Sequence, residues 1–379
     1  MKERESWIDS WKGMLIFLVV LGHVVGMMYH FTANDARDAM RYVYRFIYFF
    51  HMPAFFLLAG VLAGARGRGP GRFGGLEVWR FGVRKFRRLL VPYFFWGVVS
   101  VVIFLAMTAV MARMGGNAAD GYYGSRLFDF PWWRPFVSLL HAGFWPNGEG
   151  FRCNSVLWFL PCMFCVLLAQ NAVQSLKFKV QGRTSGQSNN LKSNNQTIIL
   201  SLIFLSLGGV LRLYVGPLPW CLDRVPRFLA FVYFGELLTS LPTPKRLNIQ
   251  TSKLLPLGWA MFALGVKFFP DLAAPYSSWM WYFAEAGMAL LGGVLSMALA
   301  RIADCRGLAG LGVASLGVML VHKFPVMFVQ SFAGRFGSLG VWEVGGLVVG
   351  VTVGVTAVSW LVTAGLRRWM PWSVGASLV

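Results

Sequence analysis

The stretch Gly13-Met14-Leu15-Ile16-Phe17-Leu18-Val19-Val20-Leu21-Gly22-His23-Val24-Val25-Gly26-Met27-Met28-Tyr29-His30-Phe31 decides the fold class. Its 19 residues contain no Asp, Glu, Lys or Arg. At ~1.5 Å per residue such a helix is long enough to cross a ~30 Å hydrocarbon core. The polar segment Met1 to Lys12 precedes it, and no small-residue cleavage site followed by a soluble chain comes after it. It therefore reads as a retained first span and not as a signal peptide.

Working outward, similar apolar runs recur to the end of the chain. The expected helices cover 13–31, 42–64, 89–112, 154–171, 197–215, 225–241, 254–269, 279–300, 308–331 and 341–366. The sequence predicts an all-α integral membrane protein, a bundle of about ten transmembrane helices forming a single domain over 1–379. Composition agrees: 56% of the 379 residues are hydrophobic and 13% charged, against roughly 25% charged in soluble domains.

The basic residues give the expected orientation. Lys2, Arg4 and Lys12 precede the first span, and Arg66, Arg68, Arg72, Arg80, Arg84, Lys85, Arg87 and Arg88 follow the second. Later clusters on the same side are Lys177, Lys179, Arg183 and Lys192, then Lys245, Arg246 and Lys253, then Arg301 and Arg306, then Arg367 and Arg368. Positive charge gathers in cytoplasmic connectors, so both termini are expected in the cytoplasm. The same rule accounts for the net charge of +20 without a nucleic-acid partner. Residues 177–196, rich in Gly, Ser and Asn, read as a flexible cytoplasmic linker. The outer connector 113–153 carries Pro131-Trp132-Trp133 and Phe144-Trp145-Pro146, which suit a membrane interface or stacking on sugar rings. Arg37, Arg41 and Arg45 share one face and suit lipid phosphates or an acidic acceptor. Cys162-x-x-Cys165 has no second pair to complete a zinc site, and no metal is expected.

Ionisable groups inside spans point to function. His23, His51 and His322 fall at similar depths in three different spans. An imidazole is suited to removing a proton from a hydroxyl nucleophile, provided a bundle around a wet cavity shields it from lipid. The segment Arg84-Lys85-Phe86-Arg87-Arg88 either anchors a helix start or offers guanidinium forks to phosphate. Glu236 and Glu285 are the carboxylates available for ion coupling, which a transporter would need. No inverted repeat of the kind common in transporters is visible.

Four stretches in order resemble the acyltransferase family 3 membrane proteins, in the branch of fucose 4-O-acetylase-like enzymes. They are Trp7-Ile8-Asp9-Ser10-Trp11-Lys12-Gly13 with Leu18 to His23, Phe50-His51-Met52-Pro53-Ala54-Phe55-Phe56 with Ala59-Gly60, Arg87-Arg88-Leu89-Leu90-Val91-Pro92-Tyr93, and Leu157-Trp158-Phe159-Leu160. Ser315 to His322 is a weaker fifth. The resemblance implies a bundle of about ten helices in a bacterial inner membrane. It implies transfer of an acyl group, usually acetyl from acetyl-CoA and in some relatives succinyl, to a hydroxyl of a carbohydrate or glycolipid acceptor. It places Lys12 at the family's usual Arg and His23 at its His, maps the basic motif onto Arg84 and Arg87 or onto Lys85 and Arg88, and gives Lys12, Arg84, Arg87 and Arg88 to the coenzyme A phosphates. On this reading His23 is the general base or, in a variant, carries the acyl group. His51 and His322 orient the acceptor or donate to the oxyanion, Asp9 fixes Lys12 or caps the helix, and Glu149 is a weaker acceptor-side candidate. The alternative is a transporter of a polysaccharide precursor or a small anionic substrate.

Overall fold

A computed structural model describes residues 6–65, 75–113, 133–142, 151–181, 190–240, 249–269, 278–332 and 336–376. Glu149, the motifs Pro131-Trp132 and Phe144-Trp145-Pro146, the centre of the expected linker (182–189), and Arg66, Arg68, Arg72, Lys245 and Arg246 lie outside the described residues. The described residues are helical with short connections. In chain order the α-helices are α1 (Ser6–Phe31), α2 (Asn34–Ala65), α3 (Gly75–Lys85), α4 (Val91–Arg113), α5 (Arg134–His141), α6 (Phe159–Gln181), α7 (Asn190–Val210), α8 (Val225–Ser240), α9 (Ile249–Phe268), α10 (Trp279–Ile302), α11 (Arg306–Val313), α12 (Ser315–Val321), α13 (Lys323–Gln330) and α14 (Val341–Trp369).

Among the described residues, seven helical stretches are long and apolar enough to cross a membrane, and the bent run α11 to α13 makes an eighth if it is taken as one span. The other two expected spans correspond to helices α8 and α9, with 16 and 20 residues, which are not among those eight stretches. They are the shortest of the ten, and α8 is walled in by its neighbours along most of its length. The ninth expected span is not one straight helix: it turns by 65° between Val313 and Ser315, and α12 and α13 then run on through His322, which keeps helical φ/ψ. Hydropathy cannot show such a break, because the residues on both sides of it are equally apolar.

Small residues set the closest helix contacts. A side chain on Gly60 of α2 would overlap the Val232 carbonyl of α8, and one on Gly235 would overlap the Leu57 carbonyl of α2. Gly13 and Gly312 bring α1 and α11 together in the same way. With no hydrophobic drive between helices in lipid, such close backbone approach supplies the packing energy. Hydrogen bonds tie α1 to α10 and α2 to α9: Trp11 Nε1 donates to Ser296 Oγ at 3.0 Å and the Tyr42 hydroxyl to the Ala263 carbonyl at 2.7 Å. At the end where α1 begins, here the near end, the Ser10 and Ser6 hydroxyls donate to Asp304 and hold its carboxyl below the usual range. Arg45 donates to the Val266 carbonyl at 3.0 Å and to that of Phe269. This arginine therefore serves the end of α9, where carbonyls lack helical partners.

Pro92 shapes the basic segment. It cannot donate to the Arg88 carbonyl four residues earlier, and the chain widens there into a π-turn, Phe86–Leu90, with the Val91 amide reaching Phe86.

Gly60→Ala is expected to force α2 and α8 apart and cost about 1–3 kcal/mol, the usual range for overpacking. Gly354→Ala, facing open space, is the control. Thermal unfolding in detergent should show a lowered midpoint for the first variant alone.

Candidate functional site

Helix α2 presents Tyr44, Tyr48 and His51 at spacings of four and three, one face of a helix. Opposite them on α1 stand Gly22 and Gly26, where a Cβ would come within 3.0 Å of the Tyr48 and Tyr44 rings. The glycines let one edge of each tyrosine ring approach α1 closely. Tyr44 and Tyr48 stack with centroids 3.9 Å apart, and Tyr48 meets His51 edge-on at 4.8 Å and His23 at 6.3 Å.

His322 sits where α12 passes into α13, completely buried. Its ring lies 5.2 Å from that of His23, tilted by 41°. The structure thus brings His23 and His322 into contact and joins His51 to them through Tyr48. The helix backbone fixes two of the tautomers. His322 Nδ1 lies 3.0 Å from the Val318 carbonyl and His51 Nδ1 lies 2.8 Å from that of Ile47. A carbonyl only accepts, so each Nδ1 carries the proton and each Nε2 keeps a lone pair. His322 Nε2 is buried with no hydrogen-bond partner.

His23 and His51 line a cavity of about 530 Å³. Its walls include Tyr44, Tyr48, Ser155, Trp158, Arg212, Asp223, Arg224, Arg227 and Glu285. Arg212 follows α7 in a second π-turn, Leu211–Val215, and Arg224 and Arg227 flank the start of α8. Arg227 pairs with Glu285 at 3.0 and 3.3 Å, and Arg224 Nε lies 3.5 Å from Asp223. The guanidinium of Arg224 lies over Trp158 and that of Arg227 over Tyr282, 5.2 and 5.3 Å from the ring centroids.

The expected phosphate-binding residues stand elsewhere. Lys12 is near the start of α1, paired with Asp9 at 3.0 Å. Arg84, Arg87 and Arg88 are exposed on α3 and its π-turn, which packs against the turn Pro371–Val374 after α14. None of the four lines the cavity. Glu236 and Glu285 are both engaged, Glu236 by the side-chain amides of Gln170 and Gln174 at 2.6 Å each. Among the described residues no group of three or more His, Cys, Asp or Glu is arranged to hold a metal.

A family model described as an acyltransferase domain matches residues 5–364. The chain belongs to acyltransferase family 3. It is a membrane acyltransferase by family, and no curated protein or solved structure matches it.

Sequence reasoning missed several residues of this family 3 acyltransferase. Tyr44 and Tyr48 were signalled by their spacing to His51. Arg212, Arg224 and Arg227 had only their place at span ends, where arginine is common. Asn154 had no signal: it is completely buried, its Nδ2 lies 3.2 Å from Ser100 Oγ and 3.4 Å from the Leu320 carbonyl, and its Oδ1 has no hydrogen-bond partner. Lys323, buried directly after His322, was hidden by that adjacency.

Glu285→Gln leaves the buried Arg227 charge without its carboxylate, a change that typically costs about 3–5 kcal/mol. The double variant with Arg227→Gln should recover part of that loss. A double-mutant cycle read by thermal unfolding checks both.

Proposed function

We propose that this protein is an O-acyltransferase that moves an acyl group, acetyl in the first instance, from acyl-CoA to a hydroxyl of a carbohydrate-containing acceptor. The observation that carries the reading is the contact of His23 with His322 beside a cavity that holds arginines and carboxylates, in a chain of this family. The bundle lies in the bacterial inner membrane as about ten spans, with both termini and the near end in the cytoplasm.

In this scheme Arg84, Arg87 and Arg88 hold the coenzyme A phosphates at the near end with Lys12, which Asp9 orients. Lys12 precedes His23 by eleven residues, about 16 Å along a helix, a distance suited to the extended pantetheine arm. The acceptor enters the cavity and its hydroxyl donates to His23. His23 takes the proton as the hydroxyl oxygen attacks the thioester carbonyl carbon. The resulting oxyanion collapses, the carbon–sulfur bond breaks, and the thiolate recovers the proton from His23 as coenzyme A leaves. His322 Nε2, left open beside His23, accepts a hydrogen bond from the second ring nitrogen of His23 once the imidazolium forms and steadies that charge. Tyr48 keeps the two catalytic helices in register, and His51 Nε2 accepts a hydrogen bond from the acceptor.

The test uses purified full-length protein with radiolabelled acetyl-CoA and a glycan extract. His23→Ala should lower transfer by about 10²–10⁴-fold, the usual contribution of a general base. His322→Gln should reduce kcat more than KM, and His30→Ala, on the same helix and exposed, should transfer normally. Equal transfer by wild type and His23→Ala would remove His23 from the chemistry.

A further inference from the structure

The cavity carries a feature that acyl transfer to a neutral sugar does not require. Its described lining contains three guanidiniums, Arg212, Arg224 and Arg227, against two carboxylates, Asp223 and Glu285. Arginines are costly inside a bundle. Arg224 and Arg227 also stand at the first turn of α8, where the helix dipole disfavours a cation. Helix stability therefore does not explain them.

The turn that holds them is built with strain. Trp220 and Cys221 both adopt the left-handed conformation, φ 59° and 54°, which costs a non-glycine residue of order 1–2 kcal/mol. The Leu218 amide donates to Asp223 Oδ1 at 3.0 Å and the Arg224 amide to the Cys221 carbonyl at 2.9 Å. These bonds lock the turn, and Trp158 supports the Arg224 guanidinium from below. Strain held in place by its surroundings is a mark of a functional turn.

We infer that this cavity binds an acidic saccharide, with Arg212 and Arg224 holding a carboxylate or phosphate on the acceptor while its ring lies against Tyr44 and Tyr48. Arg227, engaged through two contacts with Glu285, positions the cluster. Guanidinium forks match both anions, and aromatic faces suit the C–H faces of a sugar. The bound anion fixes which hydroxyl reaches His23, so the same contact sets the site of acylation. This inference rests on the acyltransferase reading for its consequence, but the binding itself does not.

The experiment measures binding without any acyl donor. Full-length protein in phosphatidylcholine nanodiscs is titrated with glucuronic acid, glucose 1-phosphate and glucose by calorimetry. The charged sugars should bind more tightly than glucose, and the preferred one identifies the anionic group. Arg212→Gln and Arg224→Gln should each weaken the preferred charged sugar by roughly tenfold and leave glucose unchanged. Arg212 is exposed, so Arg212→Gln should fold, and Arg212→Lys should restore part of the affinity. Arg88→Gln, at the proposed donor site, should bind the sugars as wild type does. Equal affinity for charged and neutral sugars, no binding of either charged sugar, or unchanged binding in both arginine variants would overturn the inference. So would displacement of the charged sugar by coenzyme A in the Arg88→Gln protein, which would give the arginines to the donor. Loss of acyl transfer with this binding pattern intact would instead count against the catalytic reading alone.

Discussion

Helix α2 stands backbone to backbone against α8 at Gly60 and Gly235, and the cavity depends on that contact. In a membrane, close approach of main chains takes the place of the hydrophobic drive that packs a soluble core. Once α2 is pinned to α8 on one side and, through Gly22 and Gly26, to α1 on the other, its tyrosine face and the start of α8 must meet. The histidines and arginines are then held by helices that have little freedom to shift.

The same contact makes polar groups tolerable inside the bundle. Glu236, next to the Gly60 contact, receives two glutamine amides, and Arg227 receives Glu285. These pairs answer the cost of burying charge. His322 differs, because one nitrogen is committed to the backbone and the other is left open beside His23. A buried group with unused hydrogen-bonding capacity is costly in a place meant only for packing. The proposed proton transfer at His23 would give that open nitrogen a use.

The breaks in regular helix fall at the places that present polar groups. The π-turn forced by Pro92 displays Arg87 and Arg88. A second π-turn presents Arg212 to the cavity, and the bend after Val313 lets the ninth expected span approach His23 with His322. An unbroken helix would spend its carbonyls and amides internally and offer only side chains along one stripe. Local breaks re-aim side chains, Arg212 into the cavity and Arg87 and Arg88 outside it.

Much of this was legible in the chain itself. The 19 uncharged residues from Gly13 to Phe31 require a helix in lipid, because no other single segment satisfies its own backbone there. The motifs around His23, His51, Arg88 and Trp158 indicated the family, and the depth of the three histidines followed from counting. Depth along a helix is a one-dimensional quantity, and it contains no information about rotation or neighbours. Only the tertiary structure decided that His322 touches His23, that Tyr48 links them to His51, and that the cavity wall is made by Arg212, Arg224 and Arg227. Those arginines looked like ordinary span-end charges because the signal that separates them, a shared cavity, exists only when α7, α8 and α10 are packed side by side. The sequence by itself determined which segments must be helices and which groups they bury, because backbone satisfaction in lipid is local. Which buried groups meet was decided by packing, because small residues far apart in the chain set how closely its helices approach.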